Sequence, residues 1–186
     1  MSKSHPTPTG VEVTFDKDEL LVSKTDQRGV IVYANTNFID ISGYTEAELI
    51  GRPHAIVRHP EMPGCIFQLL WNTVQSGSEL FAFVVNLSKD GRHYWVFAHI
   101  TPDFDAHTGA ITGYHSSRRR ASSNAIAQIE RLYAQLRQAE YNSPSKISGI
   151  RESTALLDQT LAANGQTYEE FVCHLFNNTT GALSAA

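Results

Sequence analysis

Cysteine is scarce in this chain: Cys65 and Cys173 are the only two among 186 residues, and neither belongs to a C-x-x-C or C-x-x-C-H arrangement. That excludes a disulfide framework, a zinc ribbon and a covalently attached haem. Long apolar runs are missing as well. No segment approaches the roughly eighteen uninterrupted apolar residues of a membrane span, and Met1–Gly10 has Ser, Pro and Thr where a secretory leader needs an apolar stretch. Positive charge is thin, with 15 Lys and Arg against 19 Asp and Glu and a net charge of −4. Such a balance offers no broad basic surface for a phosphate backbone, which disfavours nucleic acid as a partner. The single cationic run, Arg118-Arg119-Arg120, reads as a solvated or helix-approaching cluster. The histidines show neither H-E-x-x-H nor paired ligand spacing, so no metal site is expected. Together these absences point to a cytoplasmic protein in a reducing environment, without direct membrane insertion.

What the chain does have is enough apolar content, 41%, to bury a sizeable core. Residues 1–18 read as an N-terminal cap in which Val11, Val13 and Phe15 alternate. Two short β-prone runs, Leu20–Thr25 and Val30–Ala34, flank the turn Asp26-Gln27-Arg28-Gly29. The period then shifts. Phe38, Ile39, Ile41 and Tyr44 suit a short helix, and Thr45 with Glu48 forms a capping box for a second. A longer helix is predicted over 63–75, because Ile66, Phe67, Leu70, Trp71 and Val74 recur at three- and four-residue spacing. Three further strands follow, Leu80–Leu87, His93–Thr101 and Ile111–Arg118, separated by Gly-containing hairpin turns. The expected architecture is α+β, a five-stranded antiparallel sheet with short helices on one face and a ligand space between them. Helical periodicity returns in Ile126, Ile129, Tyr133 and Leu136, so that 19–120 is the domain, 121–141 a linker or signalling helix and 142–186 a helical tail. Within the tail, helices are expected over 151–163 and 168–176.

The segment Arg58-His59-Pro60-Glu61-Met62-Pro63 sets a cation and an imidazole just before one proline and a carboxylate between that proline and the next, and the two prolines stiffen the backbone. Asn86 interrupts the apolar strand Phe81-Ala82-Phe83-Val84-Val85, and a buried amide needs a partner or costs about 1–3 kcal/mol.

The order of elements, with Tyr33-Ala34-Asn35-x-x-Phe38, Ser42-Gly43-Tyr44-Thr45-x-x-Glu48-Leu49-x-Gly51 and Asp90-Gly91-x-x-Tyr94-Trp95-Val96, resembles a PAS domain. More narrowly, Pro53-His54-x-x-Val57-Arg58-His59-Pro60-Glu61-Met62-Pro63 followed by Trp71 resembles the FAD-binding PAS domain of bacterial aerotaxis receptors, over about residues 15–135. The resemblance implies non-covalently held FAD whose redox state is the signal. It places Asn35, Arg58, His59, Glu61 and Asn86 at positions needed for flavin binding or signalling. Glu61 stands for the family's usual Asp, and Leu80 stands where a tryptophan is often found, with Phe81 or Phe83 as the replacement wall.

The residues themselves leave alternatives. Arg58 suits a pyrophosphate or pairs with Glu61 at the surface. His59 bonds the adenosine or ribose portion or ties the loop to the backbone, and Trp71 faces ligand or core. Asn86 meets the flavin edge and follows its reduction, or ends a strand facing outward. Because the chain ends after two short helices, it is read as a stand-alone sensor that signals to a separate partner, a chemoreceptor or kinase, with a homodimer as a further possibility. A haem-binding gas sensor and a ligand-free interaction module are the competing readings. No nucleophile–base or two-carboxylate arrangement supports an enzyme.

Overall fold

The computed structural model describes residues 6–180. Strands β1 (Leu21–Asp26), β2 (Ile31–Ala34), β3 (Leu80–Leu87), β4 (His93–Phe104) and β5 (Ile111–Arg120) form one antiparallel sheet in the order β2-β1-β5-β4-β3. Between β2 and β3 lie α1 (Thr36–Ser42), α2 (Glu46–Leu49), a 3-10 turn (His54–Val57) and α3 (Gly64–Gln75). The five-stranded antiparallel α+β architecture expected from the sequence is the one observed.

The cross-strand register decides which side chains share a face. Val84 opposes Val96 and Ala82 opposes Ala98; Ile100 opposes Ser116, which opposes Ser23; Ala98 opposes Arg118, which opposes Leu21. These residues line the inner face, beneath α3 and the 3-10 turn. The opposite parity puts Phe83 against Phe97, Val85 against Trp95 and Phe81 against His99 on the outer face. So much apolar surface cannot be left in water, and α4 (Ser123–Asn142), α5 (Lys146–Ala163) and α6 (Tyr168–Thr180) supply its cover. Tyr133 of α4 donates its hydroxyl to the Phe83 carbonyl at 2.7 Å and lies 3.2 Å from the Tyr168 hydroxyl. Phe176 of α6 stacks on Phe97 at 4.2 Å. Leu157, Leu161, Tyr168, Val172 and Leu175 of the 142–186 segment join the same continuous core as the sheet.

Local chemistry explains the boundaries. Asn35 caps α1 by accepting from the Phe38 amide at 3.0 Å, and Thr45 with Glu48 forms the capping box of α2. α5 starts earlier than the predicted 151, at Lys146, because Ser145 and Ser148 form a reciprocal cap from two hydroxyls. The N-terminal segment is docked: Thr9 and Val13 donate to the carbonyls of Gly91 and His93, and His93 donates back to Val11. It runs beside the start of β4 where β5, whose last partner on β4 is Val96, has ended.

Helices α4 and α5 approach closely at Gly149. A Cβ built there would lie 2.8 Å from the Glu140 carbonyl oxygen, a backbone atom that cannot swing aside. Gly149→Ala should therefore force the hairpin apart and destabilise the chain by about 1–3 kcal/mol, read as a lower midpoint in urea unfolding. An unchanged midpoint would mean that the two helices do not rely on this contact.

Candidate functional site

Between the inner sheet face, the 3-10 turn and α3 lies a cavity of about 200 Å³. Its walls are mainly apolar, built from Phe67, Leu70, Trp71 and Val74 of α3 and from Val84, Ala98, Ile100 and Tyr114 of the sheet. Arg58, Arg118, Ser23, Thr25, His54, Asn86 and Ser116 also line it, Arg28 stands at its rim with an exposed side chain paired to Asp26, and among the described residues no Asp or Glu lines it.

Arg118 governs the electrostatics. It is 4% exposed, and no carboxylate pairs with it among the described residues. One guanidinium nitrogen, Nη2, donates to Ser23 Oγ at 3.0 Å and to His54 Nε2 at 2.8 Å. Because an arginine can only donate, His54 Nε2 must be the unprotonated acceptor, and Ser23 Oγ–H donates to it at 3.0 Å. Burial, reinforced by the Arg118 charge, pushes the imidazole down to about 3, so His54 is neutral. Burial also lowers Arg118 to about 10, which leaves it protonated at neutral pH. The Phe38 ring backs both groups: its centroid lies 5.1 Å from the Arg118 Cζ, and it stacks with His54 at 5.7 Å.

Among the described residues, four buried polar atoms on the side chains lining this cavity lack a hydrogen-bond partner: Arg58 Nε, Asn86 Nδ2, Ser116 Oγ and Arg118 Nη1. Three are obligate donors, and the hydroxyl can act as one. Such atoms normally find partners, since each unsatisfied one costs about 1–3 kcal/mol. Arg58 lies over Phe67, with Cζ 3.7 Å from the ring centroid, and is less buried than Arg118. Its backbone pairs with Asn86 as an extra rung on the free edge of β3. Trp71 meets Tyr114 edge-on at 5.5 Å and reaches over Gly29, where a Cβ would lie 2.9 Å from the indole.

Of the residues singled out in the sequence, Arg58, Trp71 and Asn86 line the cavity, and Asn35, His59, Glu61 and Phe83 do not. Asn35 is fully used as a brace: it accepts from the amides of Val22 and Phe38 and donates to the Leu20 carbonyl. His59 is buried against His93, with ring centroids 5.8 Å apart, and its Nδ1 accepts from the Glu61 amide. Glu61 pairs with Arg137 of α4 at 3.3 Å rather than with Arg58. Phe83 belongs to the outer face, under α4.

One sequence expectation needs correction. Arg118 is not part of a solvated cluster but points into the cavity, because β5 alternates and Tyr114, Ser116 and Arg118 share the inner parity. That i, i+2 pattern was the available signal for Ser116 and Arg118. Ser23 carried no comparable mark, and His54 only its place in the Pro53-His54 motif.

Residues 31–116 match the family model described as the PAS fold. The chain is 42% identical over 133 residues to the aerotaxis receptor of Escherichia coli K12, a match covering 72% of this chain and 26% of the receptor. It is 27% identical over 165 residues to the nitrogen fixation regulatory protein of Klebsiella oxytoca, covering 87% of this chain and 32% of that protein. The chain thus spans about a quarter to a third of the length of these relatives. Among solved structures, the light state of the blue-light photoreceptor Aureochrome1 LOV superposes with a TM-score of 0.53 at 21% identity, covering 63% of this chain and 91% of that one, a likeness of fold. Fold, motif positions and sequence identity converge: the chain carries a PAS domain similar to that of the aerotaxis receptor.

Proposed function

We propose that this chain is a FAD-binding redox or oxygen sensor that signals to a separate protein, a chemoreceptor or kinase, in the cytoplasm. The observation that carries the reading is the set of four unpartnered donors in an apolar, acid-free cavity. A ligand that suits it is flat, apolar on its faces and rich in acceptors along one edge. The flavin ring has that form, and the similarity to the aerotaxis receptor favours it over other rings of the same shape. When bound, flavin supplies a reversible electron acceptor. A cavity of 200 Å³ is below the roughly 300 Å³ at which pockets for drug-sized ligands begin, which suits a ring held inside with the remainder of the cofactor outside.

The chain's own residues divide the work by depth. Arg118, held by Ser23 and His54, leaves Nη1 to the cavity, with Ser116 two residues earlier on the same strand, opposite Ser23. Asn86 offers an amide from β3, free to turn its donor or acceptor toward a changing ring edge. Arg58, nearer solvent, is placed for a phosphate that follows the ring. Phe67, Leu70 and Trp71 exclude water above.

Catalysis is not part of this reading, although Ser23 and His54 stand at the separation of a nucleophile and its base. Arg118 occupies the base's acceptor nitrogen, and with His54 down at about 3 the imidazole cannot take the serine proton near neutral pH. The same bond opposes haem ligation through Nε2. Neither cysteine lines the cavity, which agrees with a ligand held without a covalent bond.

Two outcomes test the division of roles. Arg58→Ala should remove a charge-assisted contact of about 1.5–3 kcal/mol and weaken FAD binding by roughly one to two orders of magnitude, while riboflavin binding hardly changes. Asn86→Ser should keep flavin but shift its midpoint potential, since a contact favouring one redox state is linked to that potential. Equal losses of FAD and riboflavin in Arg58→Ala would assign that residue to folding, and an unshifted potential would remove Asn86 from sensing.

The desolvated imidazole also predicts a pH dependence. Below its ordinary value of 6.5 an unfolded His54 binds a proton that the folded one refuses until about 3, so stability falls as pH falls through that window. The slope approaches about 1.4 kcal/mol per pH unit, with a smaller part from His115, also lowered by burial. Between pH 6.5 and about 5 the carboxylates contribute little. His54→Gln, which keeps an acceptor for Ser23 and Arg118, should lose most of the slope in urea unfolding at several pH values; an unaltered slope would show that His54 titrates in the fold.

A further inference from the structure

The loop 58–63 has one end in the cavity and the other on the C-terminal helices. Arg58 lies over Phe67 and pairs with Asn86 through its backbone, and Met62 Sδ accepts from the Val85 amide at 3.4 Å, so the loop lies along the free edge of β3. At its far end Pro63 opens α3 and cannot cap it with a side chain. The cap comes from α4 instead, more than seventy residues away in sequence. Glu140 Oε2 accepts from the Gly64 amide at 2.9 Å, and its Oε1 accepts from the Cys65 amide at 3.0 Å and from the Ser153 hydroxyl of α5 at 2.8 Å. A carboxylate there both satisfies orphan amides and faces the positive end of α3. One helical turn earlier on α4, Arg137 holds Glu61 at 3.3 Å.

Close packing makes this junction stiff. A Cβ on Gly64 would lie 3.0 Å from the Ile150 side chain of α5, so α3, α4 and α5 meet around a single carboxylate. A shift of the loop large enough to move Arg58 in the cavity therefore moves the amides that Glu140 holds. Glu140 cannot follow without disturbing Ser153 and Gly149.

We propose that Glu140 is a latch that couples occupancy of the cavity to docking of the α4–α5 hairpin, through the loop 58–63. This rests on reading the cavity as a flavin site and adds to it the route by which the ligand alters the surface seen by a partner. Linkage makes the coupling reciprocal: a ligand that steadies the loop steadies the latch, and breaking the latch weakens the ligand.

The test uses the full chain and amide hydrogen exchange followed by NMR, with and without FAD. Adding FAD should slow exchange at Gly64, Cys65 and along α5. In Glu140→Ala, checked as folded by circular dichroism, that slowing should vanish and FAD affinity should drop at least about fivefold. If the alanine variant does not fold, Glu140→Gln, which keeps a carbonyl acceptor and loses the charge, should show the same changes to a smaller extent. A folded variant with the wild-type FAD affinity and the wild-type slowing overturns the latch. A flavin-free arm separates the two readings. Without any ligand, Arg58→Ala should speed exchange at Gly64 and Cys65. If the wild-type chain binds no FAD, the flavin reading falls and this arm alone decides the latch: faster exchange sustains it, and unchanged exchange overturns it.

Discussion

The guanidinium of Arg118 is the constraint around which the inner half of this domain is arranged. A desolvated cation without a carboxylate costs several kcal/mol, and the surroundings offset that cost with two neutral acceptors, Ser23 and His54, and the face of Phe38. Each of those is in turn fixed by the fold. Ser23 takes its place from the pairing of β1 with β5, His54 from the 3-10 turn, and Phe38 from a helix whose Asn35 cap is also hydrogen-bonded to β1. The arrangement leaves Nη1 and three neighbouring polar atoms without partners, which is costly for a core and useful for a binding site.

The sheet separates two environments built from one set of strands. Its inner face carries sparse, directed polarity in an apolar setting; its outer face carries aromatic rings packed under helices. β3 belongs to both, with Asn86 turned inward and Phe83 outward, and its free edge is taken up by the loop that bears Arg58. That loop then leads directly into α3, whose first amides are held from α4. Cavity, sheet edge and helical layer are thus joined over a few residues, without a chain of intermediates through the core.

Much of the fold was legible because the sequence alternates where strands have one wet face and places Gly at turns such as Asp90-Gly91. The helix caps were readable too, where they used Thr and Glu, as at Thr45 and Glu48. The start of α5 was not, since Ser145 and Ser148 cap through hydroxyls and resemble a loop. The site was harder. In β3 the run Phe81-Ala82-Phe83-Val84-Val85 is buried on both faces and has no alternation, so nothing in it says that Phe83 turns away from the cavity. Asn35 and Glu61 have residue types suited to a ligand, yet local geometry commits them to a cap and to Arg137. Arg118 was hidden by its neighbours: three consecutive arginines suggest solvent, whereas strand parity sends the first of them inward.

Under the proposed function, the unpartnered donors on the inner face are there for a flavin. The most direct measurement is the visible spectrum of the purified chain before and after dithionite. A flavin held in this cavity gives flavin bands that bleach on reduction, from a cofactor that heat or acid releases as intact FAD. A haem Soret band, or a colourless chain that added FAD does not convert, would contradict it.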